Sequence, residues 1–173
     1  MTIPYSRQKI TNDDIEAVIE VLKSDYLTQG PCVPIFENEV ASYCGAKKAV
    51  AVNSATSALH LACMALNIRE GDLVWTSAIT FVATANAAIY CGAKIDFLDI
   101  NPVTYNIDIN LLSEKLEISK KNKSLPKLII VVHMGGQSCE MDKIFDLSEK
   151  YGFKIIEDAS HALGSKYGNI KIG

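Results

Sequence analysis

The sequence has little of what marks several broad classes of protein. Its 173 residues carry a formal net charge of −3, so they offer no broad basic surface to neutralise nucleic-acid phosphates. Residues 1–14 have neither an apolar core nor the small-residue cleavage pattern of a signal peptide. The longest weakly polar run, residues 78–93, is interrupted by Thr80, Thr84 and Asn86 and is too short for a membrane span. We therefore expect a cytoplasmic protein without a nucleic-acid or membrane partner.

Cysteine and glycine patterns with a known chemistry are also missing. The five cysteines show none of the paired spacings that bind zinc or an iron–sulfur cluster. We expect reduced, mostly buried thiols and no metal site. The glycines form neither a P-loop nor a dinucleotide fingerprint, so ATP and NAD are poor candidates for a ligand. The cysteines are Cys32, Cys44, Cys63, Cys91 and Cys139.

Two amphipathic helices are predicted at the start of the chain. Thr11, with Asp14 three residues later, has the spacing of a capping box, and apolar residues then recur at helical intervals. A turn-rich segment, residues 28–31, separates this helix from a second one that ends at Gly45.

The rest of the chain alternates short apolar runs with helical stretches. This pattern predicts one α/β domain with a mostly parallel sheet and helices on both faces. After residue 158, residues 164–173 are typical of a hairpin or loop around glycines. The predicted strands are residues 49–52, 72–75, 94–98, 128–132 and 153–156. The predicted helices are residues 54–66, 81–91, 110–120 and 141–151.

Ligands of open parallel sheets collect at the carboxyl ends of the strands, and residues 53–59 (NSATSAL) lie at such an end. Small hydroxyl residues there cap the following helix and leave its first N–H groups free to bind an anion. An ordinary serine N-cap without a ligand explains this segment equally well.

Two further strand ends carry candidate functional residues. Asp158 and His161 could belong to a general base, a metal site or a cofactor clamp. Alternatively, Asp158 caps the following turn and His161 makes a local hydrogen bond. A metal is the less favoured option, because the sequence places no third ligand. Phe81 could stack on a flat ring, although an aromatic residue at the start of a helix is more often part of the core.

Four segments in this order resemble the DegT/DnrJ/EryC1/StrS aminotransferases. They are residues 27–31 (LTQGP), 53–59 (NSATSAL), 80–86 (TFVATAN) and 157–164 (EDASHALG). The resemblance extends over essentially the whole chain. It implies a fold-type I enzyme that uses pyridoxal 5′-phosphate (PLP) to aminate keto sugars attached to nucleotides. The chain would then be the N-terminal part of the cofactor-binding large domain.

The resemblance also implies roles for individual residues. The amides of Ala55 and Thr56, with the Thr56 hydroxyl, would hold the cofactor phosphate, and Phe81 would stack on the pyridine ring. Asp158 would pair with the protonated ring nitrogen. His161 would bond the phenolic oxygen.

The implied partners are a UDP-linked keto sugar and an amino donor such as glutamate. Tyr5, Thr28 and Gly30 would approach the sugar. Intact members of the family are homodimers, and their active sites are completed by the partner subunit.

The Schiff-base lysine of the family lies beyond the Asp-x-x-His segment, and no lysine of this sequence stands in a matching context. We therefore expect the chain by itself to be inactive, and an incomplete sheet to make it self-associate. Two alternatives stay open. One is a non-catalytic interaction fragment or gene remnant, and the other is a relative of the lysine-less sugar dehydratases.

Overall fold

The computed structural model describes residues 7–172, which form two compact units. Of the described residues, 7–43 and 47–51 belong to the first unit. The second contains residues 44–46 and 52–172.

The first unit is built around the helices α1 (Asn12–Lys23) and α2 (Cys32–Cys44). The predicted capping box is confirmed: the Asp14 amide donates to Thr11 Oγ1 at 3.4 Å, and the Thr11 amide donates to Asp14 Oδ2 at 2.7 Å. Two N–H groups at the start of α1 are thereby satisfied. Gly45, with φ of 74°, follows α2 where the sequence predicts the end of that helix.

The second unit contains a four-stranded parallel sheet in the order β2-β1-β3-β4, which confirms the predicted fold class. A short antiparallel hairpin, β5–β6, follows it. The strands are β1 (Leu73–Ser77), β2 (Lys94–Leu98), β3 (Leu128–Val132), β4 (Lys154–Asp158), β5 (Lys166–Tyr167) and β6 (Ile170–Lys171). The helices are α3 (Ala55–Ala65), α4 (Val82–Tyr90), α5 (Ile109–Lys121), α6 (Met141–Tyr151) and a 3-10 turn, Met134–Gly136.

Both faces of this sheet are covered, because its apolar strands send alternate side chains to two separate core clusters. All five residues of β3 are buried. Ile129 and Val131 pack with residues of α5 and α6, whereas Leu128 and Ile130 pack with residues of α3 and α4. Each large apolar side chain buried in this way contributes about 1.5–3 kcal/mol. The central strands therefore provide a rigid base for the residues at their carboxyl ends.

One predicted strand is wrong. Residues 49–52 form no strand among the residues that the structure describes, and Val50 is exposed. A strand needs a neighbour to pair its N–H and C=O groups, and no described strand lies beside this segment. The Ala51 amide instead donates to Glu37 Oε1 at 2.8 Å.

Two other boundaries and the cysteines differ from expectation in detail. β1 and β4 each end two residues later than predicted, so that Asp158 is the last residue of β4. All five cysteines are free thiols, as predicted, but only Cys63 and Cys139 are buried, and Cys32 is exposed. Within residues 7–172, no helix is both long and apolar enough to cross a membrane.

Candidate functional site

Asp158 lies at the carboxyl end of β4 and is the only acidic residue among the buried residues of the described chain, with 6% of its surface exposed. A carboxylate in such a place is costly unless its oxygens accept hydrogen bonds. Thr84 Oγ1 lies 2.7 Å from Asp158 Oδ2. Ser160 donates to Oδ1 twice, from its hydroxyl at 2.6 Å and from its amide at 3.3 Å. These donors stabilise the negative charge and fix the orientation of the carboxylate.

The start of α3 has the geometry of an anion site. The Ser54 hydroxyl caps the helix by accepting from the Ser57 amide at 3.2 Å, and the Ser57 hydroxyl donates to Asn53 Oδ1 at 2.7 Å. The amides of Ala55 and Thr56 are the first two of the helix and therefore have no carbonyl one turn earlier to bond. They are free to bind an anion at the positive end of the helix dipole.

A cavity of about 250 Å³ joins these two parts of the site. Its walls come from one face of α3, beginning at Ala55, and from the end of β4 with the turn that follows, including Asp158 and Ser160. The structure thus brings together the anion-ready helix start and the carboxylate, which are about a hundred residues apart in the sequence.

Phe81 immediately precedes α4 and lies three residues before Thr84. It is the N-cap residue of this helix and is 72% exposed. Its ring is therefore not part of the core, and it remains available to stack against a flat ligand.

His161 lies in the turn after Asp158 and is exposed. Its backbone lies close against Gly136, in the loop after β3. A Cβ atom at Gly136 would lie 2.7 Å from the His161 carbonyl oxygen, and the φ of Gly136 is +87°. Only glycine allows both this conformation and this close approach.

Of the three residues predicted to approach a sugar, two belong to the first unit and one lies outside the described residues. Thr28 and Gly30 lie between α1 and α2 in the first unit. Gly30 has a local structural role as well, since a Cβ atom there would lie 2.7 Å from the Tyr26 Cβ. Tyr5 lies outside the described residues.

Several contacts of the site were not predicted from the sequence. Thr84 and Ser160, which bond Asp158, both lie inside recognised motifs, but no role was assigned to them. Two features of the sequence indicate these contacts. Thr80, just before the predicted helix, lies four residues before Thr84, a spacing at which side chains can meet. A serine two residues after an aspartate is typical of a local turn bond.

A pair formed by the buried His133 and the exposed Glu157, next to the site, gave no such signal. His133 is fully buried, and its Nδ1 accepts from the Cys139 amide at 3.1 Å. Its Nε2 therefore carries the proton and donates to Glu157 Oε2 at 2.9 Å. Burial also raises the pKa of the neighbouring Cys139 thiol to about 12, which makes this cysteine a structural residue and not a nucleophile. Within residues 7–172, no group of three or more His, Cys, Asp or Glu side chains could hold a metal ion.

This chain has an anion-ready helix start and a buried carboxylate at the carboxyl edge of a parallel α/β sheet, and this edge is where open α/β sheets commonly bind small ligands. Residues 8–173 match the DegT/DnrJ/EryC1/StrS aminotransferase family, and the chain belongs to this family.

Its relatives include a nucleotide-sugar transaminase and a polysaccharide biosynthesis protein. The chain is 48% identical, over 99% of its length, to the UDP-4-amino-4,6-dideoxy-N-acetyl-β-L-altrosamine transaminase of Campylobacter jejuni, of which it covers 44%. It is 44% identical to the spore coat polysaccharide biosynthesis protein SpsC of Bacillus subtilis, covering 99% of this chain and 42% of that one. The chain thus spans less than half the length of these relatives.

Solved structures agree with this assignment. Helicobacter pylori PseC, an aminotransferase involved in the biosynthesis of pseudoaminic acid, matches with a TM-score of 0.90 and 35% identity, over 98% of this chain and 44% of that one. Spr1654 of Streptococcus pneumoniae, described as a sugar aminotransferase in its PLP form, matches with a TM-score of 0.87 and 30% identity, over 100% and 46%.

Proposed function

We propose that this chain is the cofactor-binding part of a PLP-dependent aminotransferase that acts on a nucleotide-linked keto sugar. The observation that carries the proposal is Asp158, a buried carboxylate that faces the same cavity as the start of α3. A phosphate and a protonated ring nitrogen at opposite ends of one small molecule match an anion site and a carboxylate that share a cavity.

The described residues fit this cofactor. The amides of Ala55 and Thr56 would hold its phosphate, with the Thr56 hydroxyl as a further donor. Asp158 would accept the N–H of the pyridine ring and so favour the protonated form of the ring nitrogen. The exposed ring of Phe81 would cover the cofactor from one side, and His161 would bond its phenolic oxygen. When bound, PLP supplies the electron sink that stabilises negative charge on the reacting carbon of the substrate.

The proposed substrates are supported by the relatives and by the family. We propose a UDP-linked keto sugar, supported by the named substrate class of the Campylobacter jejuni enzyme, and glutamate as the amino donor. Tyr5, Thr28 and Gly30 are the proposed sugar contacts, and a homodimer is the proposed assembly.

We propose further that the 173-residue chain does not transaminate by itself. Transamination by this family needs an amine that bonds the cofactor covalently and moves a proton. No lysine of this sequence is assigned to that role. The contribution of these residues is to bind and orient the cofactor.

Pyridoxamine 5′-phosphate (PMP) tests the proposal well, because it has the ring and phosphate of PLP but no aldehyde to react with surface lysines. Titration calorimetry of the chain with PMP should give saturable binding. Asp158→Asn should weaken it by about 10- to 100-fold, the value of a hydrogen bond to a charged group. The matched control is Asp146→Asn on the exposed surface of α6, which should bind as the unchanged chain does.

Two results would overturn the proposal. One is the absence of PMP binding by the unchanged chain. The other is an Asp158→Asn variant that binds PMP as tightly as Asp146→Asn while remaining folded by circular dichroism.

A further inference from the structure

We infer that Thr84 is a positioning residue for the cofactor, and that Thr80 orients the Thr84 hydroxyl through a second hydrogen bond. The side chains of Thr80, Thr84 and Asp158 form a chain of hydrogen bonds that ends on the Asp158 carboxylate. Neither threonine is among the site residues predicted from the sequence. The inference rests on the proposed function, since it concerns how Asp158 is held toward a ring nitrogen.

The contact joins two distant elements. Thr84 lies in the first turn of α4 and is fully buried, while Asp158 ends β4, 74 residues later in the sequence. Thr84 Oγ1 is 2.7 Å from Asp158 Oδ2. Behind it, Thr80 Oγ1 lies 2.7 Å from Thr84 Oγ1.

The direction of these bonds follows from donor counting. An ionised carboxylate can only accept, so Thr84 must donate its single hydroxyl proton to Asp158. Thr84 can then only accept from Thr80, which must donate in turn. The two hydroxyls therefore point their protons toward the carboxylate, and each bond strengthens the next.

The same counting shows which oxygen is left for the ligand. A carboxylate has about four acceptor positions. Ser160 uses two of them on Oδ1, and Thr84 uses one on Oδ2. The open position lies on Oδ2, the atom that Thr84 holds in place. A ring N–H would thus be accepted by an oxygen whose orientation is set from α4.

A purely structural role would give Thr84 a different partner. A buried threonine in a helix usually bonds a carbonyl of its own helix. Thr76 shows the structural case in this chain: it is also fully buried, and its hydroxyl donates to the Ile130 carbonyl of the neighbouring strand at 2.9 Å. Thr76 therefore provides a matched control for the loss of a buried hydroxyl.

The test compares four variants of the full chain by calorimetric titration with PMP. Thr84→Val removes the hydroxyl at nearly constant shape and should weaken PMP binding about tenfold. Thr84→Ser keeps the hydroxyl and should bind within about twofold of the unchanged chain. Thr76→Val should lose a similar amount of thermal stability but bind PMP normally. Thr80 is only half-buried, so Thr80→Val should fold, and it should weaken binding about threefold.

A second readout separates positioning from folding. The ultraviolet absorption of bound PMP reports protonation of its ring nitrogen, and in Thr84→Val the midpoint of this titration should move to lower pH, but not in Thr76→Val. Equal PMP affinity in Thr84→Val and Thr76→Val, or no rescue by Thr84→Ser, would overturn the inference for Thr84. If Asp158→Asn also binds PMP normally, the proposed function itself is wrong. If Asp158→Asn weakens PMP binding but Thr84→Val does not, only the inference about Thr84 is wrong.

Discussion

Gly136 shows how a residue without a side chain supports the site. Its backbone lies directly against the carbonyl of His161, in the turn that follows Asp158. The neighbouring Gly135 also has a positive φ, of 60°, but a Cβ atom there would meet nothing within 4 Å. Alanine at Gly135 would meet only backbone strain, whereas alanine at Gly136 would meet both backbone strain and a steric clash. Comparing the two variants therefore separates the free-energy cost of strain from that of the clash.

We expect Gly136→Ala to lower the free energy of unfolding more than Gly135→Ala. Gly135→Ala should cost about 1 kcal/mol for a positive φ at alanine. Gly136→Ala should cost about 2–3 kcal/mol, because backbone atoms must also move apart. Urea unfolding followed by circular dichroism measures both values. Equal losses for the two variants would show that the loop after β3 does not hold the turn after Asp158.

At the scale of secondary structure, the long helices and the buried strands could be predicted from the sequence because their signals are local. The end of α6 at Tyr151, for example, is marked by apolar periodicity and by Gly152 in the left-handed conformation. The failed strand, residues 49–52, has the same apolar character as β3. What differs is the presence of a pairing neighbour, which no local pattern encodes.

The candidate site, too, can be predicted from the sequence only in part. Asp158 and the start of α3 were found from strand-end positions and motif order. The partners of Asp158 were not, because the contact between Thr84 and Asp158 depends on where the start of α4 lies relative to the end of β4, and only the order of the strands in the folded sheet determines this. The contacts of His133 could not be predicted for a related reason, since only the fold shows that its ring nitrogens bond the Cys139 amide and Glu157.

Ser54 allows the capping of α3 to be separated from its proposed phosphate site. Ser54→Ala should cost about 1 kcal/mol of stability, because the Ser57 amide loses its acceptor. Ser54→Asp should restore the cap, since aspartate is as good an N-cap residue as serine. The added negative charge next to the amides of Ala55 and Thr56 should nevertheless repel a phosphate and weaken PMP binding severalfold.

Thermal unfolding and PMP titration of the two variants check this prediction together. The expected pattern is a stable Ser54→Asp variant with poor PMP affinity. If Ser54→Asp bound PMP as tightly as the unchanged chain, the phosphate would have to lie elsewhere than at the start of α3.

At the scale of the whole molecule, the described chain leaves much apolar surface and both edges of the parallel sheet without a pairing strand. α1 has no buried residue, although its apolar face is well formed. In the same unit, an apolar cavity of about 700 Å³ is lined in part by Leu22, Tyr26 and Leu27. In the second unit, β2 pairs only with β1 and β4 only with β3 among the described strands. Surfaces of these two kinds promote association.

We therefore expect the purified chain to self-associate, with a sedimentation coefficient that rises with protein concentration. Leu22 is 64% exposed on α1, and Leu22→Gln replaces its apolar surface while keeping a residue that favours helix. This variant should shift the distribution toward monomer. Glu16→Gln, an exposed change of similar size on the same helix, should leave the distribution unaltered. Sedimentation of the unchanged chain as a monomer at every concentration, or equal behaviour of the two variants, would mean that the apolar face of α1 does not drive association.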